Sequence, residues 1–112
     1  MKVLFLGTGY NPFIMEVEDE LQNLQSLVGG RIEVMTIHTK DNRSIDFIFN
    51  EEGKFLFETP NKMVIFKDGF FDYIMGNIIV VAADEETGEF TSLTDEEIWW
   101  YMNFLQDDKL FL

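Results

Sequence analysis

Phe70-Phe71-Asp72-Tyr73-Ile74-Met75-Gly76-Asn77-Ile78-Ile79-Val80-Val81-Ala82-Ala83 is a long aromatic and β-branched run. Such side chains suit the pleated, packed surface of a sheet. The run predicts the central strand, with Gly76 inside it as a bulge or a point of close backbone approach. Downstream, Asp84 to Gly88 reads as an acidic turn. Thr94-Asp95-Glu96-Glu97 is a capping box, in which the Thr94 hydroxyl accepts from the Glu97 amide while the Glu97 carboxylate reaches back, so a helix is expected from residue 95 to about 106.

Upstream, Thr59-Pro60-Asn61 breaks the chain, and Lys62 to Phe66 is a short apolar run that fits helix or strand equally. Ser44 to Phe49 alternates Ile45, Phe47 and Phe49 with polar Ser44 and Asp46. Asn50-Glu51-Glu52-Gly53 then reads as a turn, and Lys54 to Glu58 as the partner strand of a hairpin. Arg31 to Ile37 is a further strand. Before it, Val17, Leu21, Leu24 and Val28 make one stripe of an amphipathic helix over residues 16–28, closed by Gly29-Gly30. Lys2 to Leu6 is a buried strand followed by a turn, Gly7 to Pro12. The sum is an α+β domain: a mainly antiparallel sheet of about four to five strands packed by two helices, residues ~16–28 and ~95–106.

The chain has 112 residues, enough for a single domain over 1–112. Twelve Phe and no Cys give a globular core without disulfides or thiolate metal sites. The first apolar run reaches glycine after four residues, too short for a signal core or a membrane span, so a cytoplasmic protein is expected. Asp and Glu outnumber Lys and Arg by 21 to 8, a net charge of −13. Direct nucleic-acid binding is excluded on that ground, because affinity for a phosphate backbone comes from basic side chains. A basic protein surface is the expected partner.

Gly7-Thr8-Gly9 offers two glycines of a dinucleotide fingerprint. However, Pro12 stands where the third belongs, and Glu16, Glu18, Asp19 and Glu20 would neutralise the helix end that a phosphate needs, so the segment reads as a plain turn. His38 is the only histidine, and Ser26, Ser44 and Ser92 are too scattered to suggest a triad with it. Asp84-Glu85-Glu86 with Glu89 lacks the glycine that a calcium loop requires at its sixth position. No catalytic residue, metal or cofactor is expected.

Two features remain. Residues 84–112 hold nine carboxylates (Asp84, Glu85, Glu86, Glu89, Asp95, Glu96, Glu97, Asp107, Asp108) against Lys109 alone. On the second helix Ile98, Tyr101, Met102 and Leu105 form a core face, while Trp100 and Phe104 lie one turn apart on the other side. Either that pair packs beneath Leu110-Phe111-Leu112 or it anchors another chain.

Leu24-Gln25-Ser26-Leu27-Val28-Gly29-Gly30 with Ile32-Glu33-Val34, Asn50-Glu51-Glu52-Gly53-Lys54, Pro60-Asn61, Asp72-Tyr73-Ile74-Met75-Gly76, and Phe90-Thr91-Ser92-Leu93-Thr94-Asp95-Glu96 together resemble the family called domain of unknown function 3846. The resemblance covers nearly the whole chain. It implies a small, acidic protein encoded by a bacteriophage, plasmid or other mobile element, and brings no catalytic residues with it. The chain departs from the family pattern at Lys62, where Arg often follows Pro-Asn, and in its Trp99-Trp100 pair.

The leading expectation is a non-enzymatic binding protein in a bacterial cytoplasm. Asp84, Glu85, Glu86, Glu89, Asp95 and Glu96 would stand in for phosphates toward a host defence or nucleic-acid-handling protein, with Trp100 or Phe104 as anchor. One alternative is an oligomeric sponge for a signalling nucleotide, with Arg31, Lys40, Arg43, Lys54 and Lys62 converging on the ligand together with the amides of Gly29 and Gly30. The other is an oligomeric structural protein assembled through the C-terminal helix.

Overall fold

A computed structural model describes all 112 residues. The run at 70–83 supplies two strands, in two different sheets. β6 (Phe71–Met75) belongs to a three-stranded sheet with β5 (Pro60–Ile65) and β9 (Lys109–Phe111), while β7 (Ile78–Asp84) is central in the larger sheet. Gly76 is therefore a corner and not a bulge. Its φ of +84° is left-handed, and a Cβ there would lie 2.6 Å from the Phe57 ring. Glycine alone takes that conformation without strain, so the ladder of β6 stops there and the chain re-aims.

β7 is flanked by β1 (Lys2–Leu6) and β4 (Arg43–Asn50). Beyond them lie β2 (Phe13–Glu16) and β3 (Ile32–Lys40), and the short β8 (Phe90–Thr91) also pairs with β7, making six strands, all antiparallel. Ile79 and Val81 pack on one face with Val3, Ile48, Leu24 and Val28; Ile78, Val80 and Ala82 pack on the other with Phe47, Leu6, Ile74 and Leu105. Burial on both faces is why the β7 sequence shows no polar alternation. The layers run α1 (Leu21–Val28), large sheet, then α3 (Asp95–Phe104) with the small sheet. The mainly antiparallel α+β expectation holds; β5 and β9 are the one parallel pair.

Two further segments differ from their sequence reading. Residues 13–16 pair with β1 as a strand, so the first helix spans only Leu21–Val28; Val17 falls on its stripe by coincidence of period, and its amide donates to the Met1 carbonyl. Gly29, at φ +82°, closes that helix as expected, and both glycine amides donate to the Gln25 carbonyl. Residues 53–56 form a one-turn helix, α2 (Gly53–Leu56), in place of a hairpin strand. β3 and β7 already occupy both edges of β4, and the Asn50 side chain accepts the Glu52 amide, turning the chain out of the sheet. The undecided run at 62–66 lies mostly in β5.

One buried polar side chain ties the small sheet to the large one, and a second ties β5 to the turn before β9. Buried Asn61 donates to the carbonyls of Leu6 (3.0 Å) and Gly76 (2.8 Å). The ammonium of Lys62, also buried, donates to the Asp107 carbonyl at 2.8 Å. Burial makes that ammonium give up its proton more readily than an ordinary lysine does, against the opposing pull of Asp108 and Asp107. No helix is long and apolar enough to cross a membrane.

Candidate functional site

Asp41 and Asn42 both have positive φ, 54° and 61°, and make the tight turn between β3 and β4. Two left-handed residues suit the right-handed twist of a hairpin, and Asp and Asn tolerate that conformation better than other side chains. The turn reaches the start of the β7–β8 connection, where the Glu85 amide donates to the Asn42 carbonyl at 2.9 Å and Arg43 lies opposite Asp84 in register.

Arg43 is clamped there. Its Nε and Nη2 donate to the two oxygens of Glu97 at 2.9 and 2.7 Å, and Nη2 also donates to the Ser92 carbonyl at 2.7 Å. Glu97 is the third residue of α3, and the capping box is complete: Thr94 Oγ1 accepts from the Glu97 amide at 3.1 Å, and Glu97 Oε1 accepts from the Thr94 amide at 2.8 Å. The planar fork of Arg matches a carboxylate on two atoms at once. Its hydrogen bonds hold the Glu97 carboxyl below the usual range, against the opposing effect of burial, and Glu97 raises Arg43 in turn.

A carboxyl that releases its proton more readily folded than unfolded contributes its full stabilisation above its ordinary value of 4.5, and that share is lost as pH falls through its folded value. Arg43→Met is therefore expected to lower stability by about 1–2 kcal/mol at neutral pH. The difference from the parent should shrink in strongly acidic solution. Urea unfolding at several pH values reads it, and a pH-independent difference would assign the effect to packing.

Two clefts open beside this clamp. The first, about 690 Å³, runs between α3, the β3–β4 hairpin and the C-terminal strand; Asp41, Arg43, Glu96, Trp100, Phe104 and Phe111 are among its walls, with His38 and Lys40 on β3. Trp100 stacks on Phe104 at 4.9 Å and 30°, and it remains 50% exposed. Of the two sequence alternatives, Phe111 and Leu112 do approach the aromatic pair, but as a facing wall and not a cover. Tyr101 lies at the base of the cleft, where burial and then the Glu97 charge push its hydroxyl up to about 12, so it is a neutral donor at ordinary pH. The second cleft, about 570 Å³, is lined by Asp41, Arg43, Asp84, Glu86 and Glu89. Asp41 and Arg43 belong to both clefts.

The structure thus gathers Asp84, Glu86, Glu89, Glu96, Trp100 and Phe104 around one hairpin tip. Glu85 and Asp95 are exposed outside both clefts, Asp95 lying 3.9 Å from Lys2. Neither cleft is lined by Gly29, Gly30, Arg31 or Lys62. The glycine amides are engaged in the helix cap and the Lys62 ammonium in the Asp107 contact. Sequence reading missed Asp41 as a member of the site. Its signal was present in Lys40-Asp41-Asn42-Arg43, a two-residue turn type between two β-rich runs.

A family model described as Domain of unknown function (DUF3846) matches residues 1–106. The chain belongs to that family. No curated protein and no solved structure matches it.

Proposed function

We propose that this member of the DUF3846 family is a non-enzymatic binding protein whose acidic hairpin end receives a cationic protein surface. One observation carries the reading: carboxylates from the β3–β4 turn, the β7–β8 connection and the start of α3 line two adjoining clefts and outnumber Lys40 on the wall of the first, while the guanidinium among them is already neutralised by Glu97. Uncompensated charge of one sign raises the local concentration of an opposite partner, and the half-exposed Trp100 stacked on Phe104 supplies the apolar anchor that charge alone lacks. Glu97, the carboxylate whose acidity is shifted, belongs to the clamp, so the site reads as a receptor and no chemical step is asked of it.

In its sharpest form the partner is a host nucleic-acid-handling or defence protein, in the bacterial cytoplasm where a phage or mobile element acts, and the carboxylates take the place of phosphates in its basic groove. An arginine-rich peptide carrying one aromatic residue serves as the probe, with Trp fluorescence as the signal. Binding is expected to weaken by at least about tenfold between roughly 0.05 and 0.3 M salt, because the charges involved are exposed and screened. Affinity that is flat across that range would overturn the reading.

A further inference from the structure

Strand β3 is a free edge: β4 pairs along one side of Ile32–Lys40, and no strand of the chain pairs with the other. Glu33, Val34, Thr36, His38, Thr39 and Lys40 are exposed along it. Natural sheets commonly protect such an edge with proline, repeated charge or covering chain. β3 has no proline, and its two formal charges, Glu33 and Lys40, stand near its opposite ends. Neither enters an ion pair within the chain.

The register with β4 shifts between Thr36 and His38, so Ile37 is an extra residue. Opposite Phe49, Phe47, Ile45 and Arg43 respectively, Glu33, Met35, His38 and Lys40 all lie on the α3 side of the sheet; Val34 and Thr39, opposite Ile48 and Ser44, lie on the α1 side. An antiparallel strand pair keeps side chains on their own faces only in registers that respect this sorting.

We propose that β3 pairs with β3 of a second copy of this chain, antiparallel about a two-fold axis between Thr36 and Ile37. In that register Glu33 meets Lys40 of the second copy, Val34 meets Thr39 and Met35 meets His38, each pair on one face, and at the axis the extra residue Ile37 of each strand meets Thr36 of the other. The Glu33–Lys40 contact occurs twice, as a self-complementary interface requires. A slip of one residue sends side chains to the wrong faces. A slip of two in one direction sets Arg31 against Lys40, and in the other it leaves Glu33 beyond the paired segment.

Charge favours this edge over β2, the other edge of the large sheet. Arg31 and Lys40 outweigh Glu33 across residues 31–40 in a chain of net −13. The opposite edge, β2, ends at Glu16 and runs into Glu18, Asp19 and Glu20, so two copies meeting there would bring carboxylates together. Pairing at β3 places both α3 clefts on the same face of one continuous sheet.

Mass in solution by sedimentation equilibrium on the full chain tests the proposal. The parent should be a dimer. Glu33→Lys and Lys40→Glu should each weaken it by about tenfold or more, since two attractive contacts become repulsive. The double exchange, Glu33→Lys with Lys40→Glu, should restore the dimer to within about threefold of the parent by the same reasoning. Trp100→Ser with Phe104→Ser should remain dimeric. A monomeric parent, single exchanges without effect, a double exchange that does not recover, or a monomer from the aromatic variant would each overturn it, the last by locating the contact on α3.

Discussion

Asn61→Leu is expected to cost about 3 kcal/mol. The branched shape is kept and the side chain becomes larger, so none of the effect comes from a cavity. What disappears is a pair of donors: Asn61 Nδ2 reaches the Leu6 carbonyl at the end of β1 and the Gly76 carbonyl at the corner between the sheets. Gly76 accepts from no backbone amide. A buried carbonyl left without a donor costs about 1–3 kcal/mol, which falls on Gly76, and the bond to Leu6, opposite Ile78 in the β1–β7 ladder, is lost in addition. Because one bond reaches the large sheet and the other the corner to the small one, the variant should also lose cooperativity between them, seen as a lower denaturant slope. A loss below about 1 kcal/mol would mean that apolar packing alone joins the sheets.

Gly76→Ala is expected to cost about 2–3 kcal/mol, from left-handed strain together with a contact that must give way. The added Cβ would lie 2.6 and 2.7 Å from two atoms of the Phe57 ring. The two causes separate in a double-mutant cycle. Phe57→Ala removes the ring, so in its background the cost of Gly76→Ala should fall to the backbone share, about 1–2 kcal/mol. Equal cost in both backgrounds would assign the whole effect to backbone conformation. Together these changes probe the one place where reading the run at 70–83 as a single strand fails.

That failure shows what local pattern can and cannot carry. The capping box at Thr94 and the glycine stop after Val28 were legible because the atoms that satisfy each helix end are supplied within a few residues. The split at Gly76, the small sheet and α2 depend on which strand edges are already occupied, and no window of sequence contains that. Residues 54–58 could be read as a strand only while β4 was imagined to have a vacant edge, and both its edges are filled. Alternation misled at Asp46 as well. It marks the polar face of β4, yet α1 packs on that side of the sheet, and Asp46 is buried with Oδ1 lacking a hydrogen-bond partner.

The candidate site was half legible. The carboxylates after residue 84 and the Trp100–Phe104 pair stood out in the sequence by charge and by helical spacing. Their convergence around Asp41 did not, because antiparallel pairing of β4 with β7 is what brings the β3–β4 turn beside the β7–β8 connection. In the sequence Arg43 stood out only as one of the few cations that a nucleotide would need. In the fold it is the fixed point of the site, and its engagement with Glu97 leaves Lys40 as the one free cation on the cleft walls, outnumbered by Asp41, Asp84, Glu86, Glu89 and Glu96.

The location of the binding surface is tested most directly by two triple charge reversals of equal size, each bringing the net charge from −13 to −7. One carries Glu86→Lys, Glu89→Lys and Glu96→Lys at the hairpin end. The other carries Glu51→Lys, Glu52→Lys and Glu58→Lys, in the α2 segment that follows the far end of β4. With the arginine-rich peptide at low salt, the first should lose affinity by at least about tenfold and the second by no more than about threefold. Equal losses in the two proteins would contradict a localised acidic receptor and leave only bulk charge.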